Sequence, residues 1–290
     1  MNRRSFLSGA AAAGLAAKAA PKRVIDTHTH FYDPARPQGV PWPPKDSPLY
    51  RTTLPPRYLE VTRGLGVKGA IVVEASPWVE DNQWVLDLAK DNPIIVGVVG
   101  HLQPGAPEFK VHLKRFAANR LFRGIRIGGA GLDARLAKPG FVDDLERLAD
   151  AGLELDVNGS ASMFAGLVRL SARVSALRIV INHLPYALPP AEPARGEAQR
   201  ALRDLGANPL VYAKVSGILR HIGGRTPITL DLYQEAIEEL WELFGAGRVI
   251  YGSDWPVSER MGSYATVQQV AADFFALKGP DAMDRYFYRN

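Results

Sequence analysis

The sequence predicts an α/β fold of the (β/α)8 class, a TIM barrel. Three observations lead to this prediction: eight short apolar runs rich in Val and Ile, amphipathic segments between most of them, and polar residues where the runs end. Parallel strands covered by helices on both faces are typically near-continuous in apolar residues, and a strand–helix unit repeated eight times indicates a barrel. A doubly wound open sheet is the alternative. It would need fewer strands and usually a glycine-rich first turn, whereas two histidines follow Ile25 here.

The predicted strands and helices alternate along the chain. The strands are expected at residues 24–30, 69–76, 94–102, 122–128, 153–159, 178–185, 211–218 and 248–256. Amphipathic segments predict helices at residues 77–91, 107–119, 139–151, 160–175, 192–206 and 230–244. A chain of 290 residues is long enough to form such a barrel as one domain.

The connection after the first strand, residues 31–56, is expected to form a flap over the mouth of the barrel. It is long for a compact domain, and such loops are usually either functional or disordered. Its many prolines stiffen it, and its aromatic residues argue against disorder. Those aromatic residues are Phe31, Tyr32, Trp42 and Tyr50.

The composition excludes several classes of site and partner. There is no cysteine, so a metal would need histidine, carboxylate or water ligands. The net charge of +5 falls to +2 without residues 1–19, because removing Arg3, Arg4 and Lys18 leaves 32 basic and 30 acidic residues. No basic cluster remains that would follow phosphates, so a small-molecule substrate is expected and nucleic-acid binding is not.

Residues 1–19 are predicted to be a twin-arginine signal peptide, which leaves residues 20–290 as the barrel domain. An R-R-S-F-L motif at 3–7 precedes an apolar Ala/Gly/Leu run that ends in A-K-A at 17–19. An ordinary N-terminal helix is the alternative, and the run is too short for a stable membrane span. The motif predicts export of the folded protein by the twin-arginine machinery, to the periplasm or another extracytoplasmic location in a bacterium.

The first predicted strand ends in two histidines one residue apart, His28 and His30. Strand side chains alternate between faces, so these histidines and Asp26 are expected to point the same way. Two neighbouring imidazoles can hold a metal, a carboxylate or a water, although two solvated histidines at a strand end would also fit. The Y-G-S-D-W-P motif at 251–256 favours the functional interpretation.

Polar residues also end most of the other predicted strands, and the active site of this fold lies at those ends. In strand order these residues are Glu74, His101, Arg126, Asp156, Asn158, His183, Lys214, Ser216 and Asp254. The pattern leaves open whether Glu74, His101 and Lys214 face the site.

Five motifs together resemble the amidohydrolase superfamily in its amidohydrolase-related branch. They are D-T-H-T-H-F-Y-D-P at 26–34, G-I-R at 124–126, I-N-H-L-P at 181–185, K-V-S-G at 214–217 and Y-G-S-D-W-P at 251–256. Within that branch the chain is most similar to the lactonase group that contains pyrone-dicarboxylate, fucono- and rhamnono-lactone hydrolases. The resemblance implies a metal-dependent-hydrolase-like TIM barrel.

The resemblance also implies roles for individual residues. Asp254, His28, His30 and His183 correspond to catalytic positions, and the same four would hold one divalent ion such as zinc if a metal is bound. Arg126 stands on the strand where binuclear members carry a carbamylated lysine, so two metals are not expected. Because some members of the lactonase group work without metal, the resemblance leaves open whether any cofactor is required.

These residues suggest hydrolysis of a lactone or similar cyclic ester, from a sugar acid or an aromatic-degradation intermediate. Asp254 would take a proton from water while the histidines orient that water and polarise the carbonyl. Substrate contacts are expected from Arg126, Asn158, His101, Trp42 and Tyr32, with Trp255 as a further aromatic wall.

Two other functions remain open at this stage. A zinc-dependent decarboxylase of the same branch would share His28, His30 and Asp254, but Asn158 stands where metal-rich members place a histidine. A non-catalytic binding barrel would have no need of the complete set of three histidines and an aspartate. The fold alone cannot decide among these functions.

Overall fold

The computed structural model describes residues 20–185 and 191–290; the predicted signal at residues 1–19 lies outside the described residues. Eight parallel strands form one sheet in chain order, with helices between them, which confirms the predicted (β/α)8 barrel. The strands are β1 Val24–Thr29, β2 Val67–Val73, β3 Ile95–Gly100, β4 Phe122–Gly128, β5 Glu154–Asn158, β6 Arg178–Ile181, β7 Val211–Val215 and β8 Val249–Tyr251.

The first and last strands are tied together at their carboxyl ends. Thr29 and Trp255 form a parallel bridge, and the His30 amide donates to the Trp255 carbonyl at 2.9 Å. The Asp254 amide donates to the His28 carbonyl, also at 2.9 Å. The sheet therefore closes at the place where the histidine pair and the aspartate lie.

The described residues form ten α-helices, which cover the outside of the barrel and include all six that the sequence predicted. Their bounds are α1 Pro55–Val61, α2 Val79–Lys90, α3 Phe109–Ala117, α4 Leu132–Leu136, α5 Phe141–Asp150, α6 Phe164–Arg173, α7 Ala194–Ala207, α8 Gln234–Phe244, α9 Tyr264–Leu277 and α10 Pro280–Asp284. Their apolar faces pack on the strands and form one continuous core. None of the helices in residues 20–185 and 191–290 is long and apolar enough to cross a membrane.

A register shift in β1 reverses the expected direction of Asp26. Four residues of β1, from Asp26 to Thr29, lie opposite only three of β2, from Ala70 to Val72. Such a bulge breaks the strict alternation of faces. Asp26 is fully buried and accepts hydrogen bonds from the hydroxyls of Tyr58 and Tyr264, on α1 and α9 outside the barrel. The expectation that Asp26 points the same way as His28 is therefore wrong.

Most strands are shorter than the sequence predicted, and β6 and β8 fall furthest short because the backbone turns soon after them. β6 ends at Ile181 and β8 at Tyr251. His183 and Asp254, just beyond, are left-handed with φ of 54° and 59°. A residue with positive φ cannot continue a strand, and only these two non-glycine residues in the described part of the chain adopt it.

Candidate active site

Three imidazoles converge on one carboxylate oxygen at the carboxyl ends of β1, β6 and β8. Oδ1 of Asp254 lies 3.5 Å from Nε2 of His30 and 3.8 Å from Nε2 of both His28 and His183. The rings of His28 and His183 are 4.5 Å apart between centroids. These separations are longer than a direct hydrogen bond, so a water or substrate oxygen can bridge the groups.

The left-handed backbone of His183 and Asp254 aims both side chains at this cluster. Such conformations cost free energy and are concentrated at functional sites. At Asp254 the turn is held by two backbone hydrogen bonds, from its own amide to His28 and from the Ser258 amide to its carbonyl, each 2.9 Å. At His183 the ring is held by Ser216, whose Oγ lies 2.8 Å from Nδ1.

Hydrogen bonds to the far side of each ring decide what Nε2 offers to the cluster. Nδ1 of His30 lies 2.9 Å from the Val73 carbonyl, which can only accept, so Nδ1 carries the hydrogen and Nε2 has a free lone pair. Nδ1 of His28 instead lies 3.3 Å from the ammonium of Lys214, which can only donate. The Nε2 atom of His28 therefore carries the hydrogen when the ring is neutral.

Lys214 is itself held inside the barrel by three acceptors. Its Nζ donates to Oδ2 of Asp156 at 2.9 Å and to the Thr27 carbonyl at 3.1 Å, in addition to His28. An ammonium has three donors, and all three are used. Lys214 and Asp156 are buried, so Lys214 does face the site, beneath the histidines.

The electrostatic environment favours neutral imidazoles at His28 and His183 and an ionised Asp254. Burial lowers the pKa of His28 well below its ordinary value, and the charge of Lys214 lowers it further. Burial also lowers the pKa of His183, although Asp254 opposes this. Burial alone would raise the pKa of Asp254, but His183, His30 and Arg126 outweigh it and hold that pKa below its usual value. A carboxylate in this state can accept a proton.

A cavity of about 500 Å³ opens above the cluster, large enough for a monosaccharide-sized ligand. His30, His183 and Asp254 form its floor, and His28 lies beneath them, fully buried. Nε2 of His28 has no hydrogen-bond partner among the described residues. A buried donor without a partner indicates a site completed by a ligand or water.

Four of the five residues expected to contact substrate line this cavity, and one does not. The lining residues are Trp42, His101, Arg126 and Asn158. Tyr32 is not on this wall: it is buried below Trp42, its ring centroid 5.3 Å away, and its hydroxyl donates to the Leu49 carbonyl. Trp255, the expected further wall, is also fully buried and donates through Nε1 to Glu259.

The flap reaches the cavity through one aromatic side chain. Trp42 lies 5.7 Å from the His30 ring between centroids and forms part of the wall. The flap is anchored on both sides of Trp42, by the backbone pairing of Tyr32 with Thr53 and by an ion pair of 2.6 Å from Arg36 to Asp81. The flap therefore lies over the mouth of the barrel, as the sequence of residues 31–56 predicted.

Glu74, whose orientation the sequence left open, is paired with Arg126. Nε of Arg126 donates to Oε1 of Glu74 at 2.8 Å, and Nη2 donates to the Glu74 carbonyl at 2.7 Å. Both side chains line the cavity. Glu74 follows β2 and Arg126 lies on β4, on the two sides of β3, and they are 52 residues apart in sequence, so no local motif reveals the pair.

The donor atoms of His28, His30 and Asp254 all lie within 4.8 Å of one another, a spacing that one metal ion can span. His30 presents a free Nε2 lone pair, as a ligand should. His28 fits less well, because the Lys214 ammonium occupies its Nδ1 and leaves the hydrogen on Nε2. A metal is compatible with this group only if that hydrogen bond is given up.

Comparison with known proteins places the chain in a family. The family model described as amidohydrolase matches residues 25–290. The chain belongs to this amidohydrolase family. It is 33% identical to an L-fucono-1,5-lactonase from Burkholderia ambifaria, over 92% of this chain and 93% of that protein. The protein is therefore a hydrolase.

Solved structures of similar proteins share the fold. An amidohydrolase from Burkholderia multivorans with bound zinc superposes with a TM-score of 0.79 at 24% identity, over 92% of this chain and 96% of the other. A probable 2-pyrone-4,6-dicarboxylic acid hydrolase from Acinetobacter baumannii with bound citric acid gives 0.72 at 18% identity, over 92% and 97%. At these identities the likeness establishes the barrel and not the substrate.

Proposed function

We propose that this amidohydrolase opens the lactone ring of a sugar acid, with Asp254 as the base that activates water. The observation that carries the proposal is the meeting of three imidazole Nε2 atoms around Oδ1 of Asp254, on the floor of an open cavity. The 33% identity to an L-fucono-1,5-lactonase supports a sugar-acid lactone as the substrate class. An ester carbonyl is reactive enough for attack by a carboxylate-activated water.

The chemistry follows from the hydrogen-bond roles of the floor residues. A water held between Asp254 and the free Nε2 lone pair of His30 donates to both. Asp254 takes one proton as the water oxygen bonds to the lactone carbonyl carbon. The ring C–O bond then breaks, and the leaving alkoxide receives that proton from Asp254, so the product is the open hydroxy acid.

The remaining residues position the reactants. Nε2–H of His28 lies 3.8 Å from Oδ1 of Asp254, too far for a direct hydrogen bond, and can donate to a water or substrate oxygen that bridges the two. His183 stands on the other side of Asp254 and faces the carbonyl oxygen, whose developing negative charge it stabilises. Arg126 and Asn158, on the cavity wall, bind hydroxyl or ring oxygens of the sugar.

If one divalent ion were held by His28, His30 and Asp254, it would supply an acidified water and polarise the carbonyl. The steps above need only residues of the chain. A decarboxylase of the same family is less well supported, because Asn158 offers no imidazole on β5 and Lys214 competes for His28.

The test is turnover of a panel of aldono-1,4- and aldono-1,5-lactones, followed by proton release at constant pH, with and without prior treatment with a chelator. We expect hydrolysis of at least one sugar lactone at a rate that chelation changes by less than about twofold, since the base is a side chain. Loss of hydrolysis that zinc restores would assign the water to a metal instead. Absence of hydrolysis on the whole panel, with release of carbon dioxide from carboxylated aromatics, would favour the decarboxylase.

We also propose that the protein acts outside the cytoplasm, on the evidence of the R-R-S-F-L motif at 3–7 and the A-K-A motif at 17–19. The twin-arginine machinery recognises the paired arginines. Replacement of both Arg3 and Arg4 by Lys should therefore retain the protein in the cytoplasm, as measured by cell fractionation. Unchanged export of that variant would contradict the proposal.

A further inference from the structure

Glu74 neutralises the only arginine on the described cavity wall before any substrate arrives. It accepts from Nε of Arg126 through its carboxylate and from Nη2 through its backbone carbonyl. The two side chains are 17% and 16% exposed, so the pair is largely shielded from bulk water and its charges are weakly screened. A guanidinium in this state is a hydrogen-bond donor with little charge left to attract an anion.

The described lining of the cavity as a whole carries more negative than positive charge. Its carboxylates belong to Glu74 and Asp254, and its cation is Arg126. Counting only its Asp, Glu, Lys and Arg side chains, the wall has one carboxylate more than it has cations. An anionic ligand would therefore be repelled.

The atoms of the pair that remain free suit a hydroxyl group. Nη1 of Arg126 and Oε2 of Glu74 hydrogen-bond no residue in the described part of the chain. A hydroxyl can accept from the first and donate to the second, whereas a carboxylate can only accept. A carboxylate placed against Arg126 would face Oε2 of Glu74 with no hydrogen to offer.

We propose that Glu74 is a specificity-determining residue, which selects neutral polyhydroxylated lactones and rejects lactones that carry a carboxylate. This inference rests on the proposed lactonase function and names the substrate class within it. The selection works through both charge and hydrogen bonding: the pair recognises a sugar hydroxyl, and the surplus carboxylate disfavours an acid.

The experiment compares two lactones of the same ring and configuration, D-glucono-1,4-lactone and D-glucaro-1,4-lactone, which differ only in a hydroxymethyl or carboxylate at C6. We expect the wild-type protein to prefer the neutral lactone in kcat/KM by at least about tenfold, because like charges at this separation are strongly disfavoured. Glu74→Gln keeps an amide oxygen for Nε of Arg126 and removes the charge. It should reduce the preference by at least about tenfold, mainly through a lower KM for the glucarolactone.

The matched control is Glu80→Gln, which removes a carboxylate paired with Arg115 on the exposed surface of α2. The control should leave the preference unchanged. The comparison of the two lactones in the wild type needs no variant, so it tests the preference even if Glu74→Gln does not fold.

Equal kcat/KM for the two lactones in the wild type, or an undiminished preference in a folded Glu74→Gln protein, would overturn the inference while leaving the lactonase intact. If the wild type hydrolyses neither lactone, the proposed function fails on these substrates. Calorimetric titration of both lactones then tests the selection by affinity alone. Binding of the neutral lactone only would sustain the inference, and equal binding or no binding of either would overturn it.

Discussion

The ammonium of Lys214 lies 3.3 Å from Nδ1 of His28, and this contact leaves the hydrogen of the neutral ring on Nε2, which faces Asp254 across 3.8 Å. The same ammonium is bound to Oδ2 of Asp156 at 2.9 Å, and both residues are buried. The barrel interior thus contains an ion pair, and one donor of its ammonium reaches His28 beneath the catalytic floor. The pair both stabilises Asp156 and orients His28.

Lys214→Met should separate these two effects when it is combined with a change at Asp156. The single variant leaves the Asp156 carboxylate buried without a cation, which we expect to lower the free energy of unfolding by about 3–5 kcal/mol. The double variant Lys214→Met with Asp156→Leu removes both charges and should recover most of that loss. Urea denaturation followed by circular dichroism measures both.

Turnover should not recover in the same double variant, because His28 still lacks the donor that fixes its ring. We expect kcat to remain reduced by at least about tenfold with KM little changed, as for an interaction needed only in the transition state. A stable double variant with wild-type kcat would show that Lys214 has only a structural role.

The sequence predicted most of the architecture because buried parallel strands leave a clear record in their composition. It could not predict the ends of β6 and β8, since the left-handed backbone of His183 and Asp254 stands beside hydrogen bonds to other strands, from the Leu184 amide to Lys214 and from the Asp254 amide to His28. It also could not show the bulge that turns Asp26 outward, which depends on pairing with β2. The strict alternation of strand faces was the assumption that failed there.

Part of the active site could also be predicted from the sequence. Histidines at strand ends are informative because the fold brings all strand ends together. The roles of Glu74 and Lys214 were ambiguous because each depends on a contact with a residue far away in sequence. Glu74 contacts Arg126, 52 residues away, and Lys214 contacts His28, 186 residues away. Tyr32 was expected at the cavity as one of the aromatic residues of the flap, but its ring packs against Trp42 and its hydroxyl donates to the Leu49 carbonyl.

Glu154 should make the stability of the protein depend on pH near neutrality. Burial, together with the nearby Asp156 carboxylate, raises the pKa of Glu154 to about 7. The unfolded chain releases this proton at an ordinary glutamate pKa of about 4.3, so the folded state holds more protons between those values. The free energy of unfolding is therefore expected to fall by roughly 1–3 kcal/mol as the pH rises from 5 to 7.5.

Urea denaturation at a series of pH values measures this slope, and Glu154→Gln should flatten it. The matched control is Glu146→Gln on the outer helix α5, which should leave the slope unchanged. A slope that persists in Glu154→Gln would assign the protons to another group.

Trp42 is expected to contribute to substrate binding more than to the chemical step. Its ring lies on the cavity wall and packs against His30 and Tyr32. Trp42→Ala should raise KM by about tenfold and change kcat by less than about threefold, because the contact is present in the ground state and the transition state alike. Steady-state kinetics on the best lactone would check this. Trp78→Ala is the control, because Trp78 is an exposed residue beside α2. A fall in kcat with unchanged KM would instead place Trp42 in the chemical step.

The measurement that tests the central claim most directly is kcat/KM of Asp254→Asn on the best lactone. Asparagine has the same shape, tolerates the left-handed backbone at φ 59° and cannot accept the proton. We predict a loss of at least about 10³-fold, with Asp133→Asn on the exposed surface as a control that keeps full activity. If Asp254→Asn folds and retains activity within tenfold of wild type, which is about 1.4 kcal/mol, Asp254 is not the base.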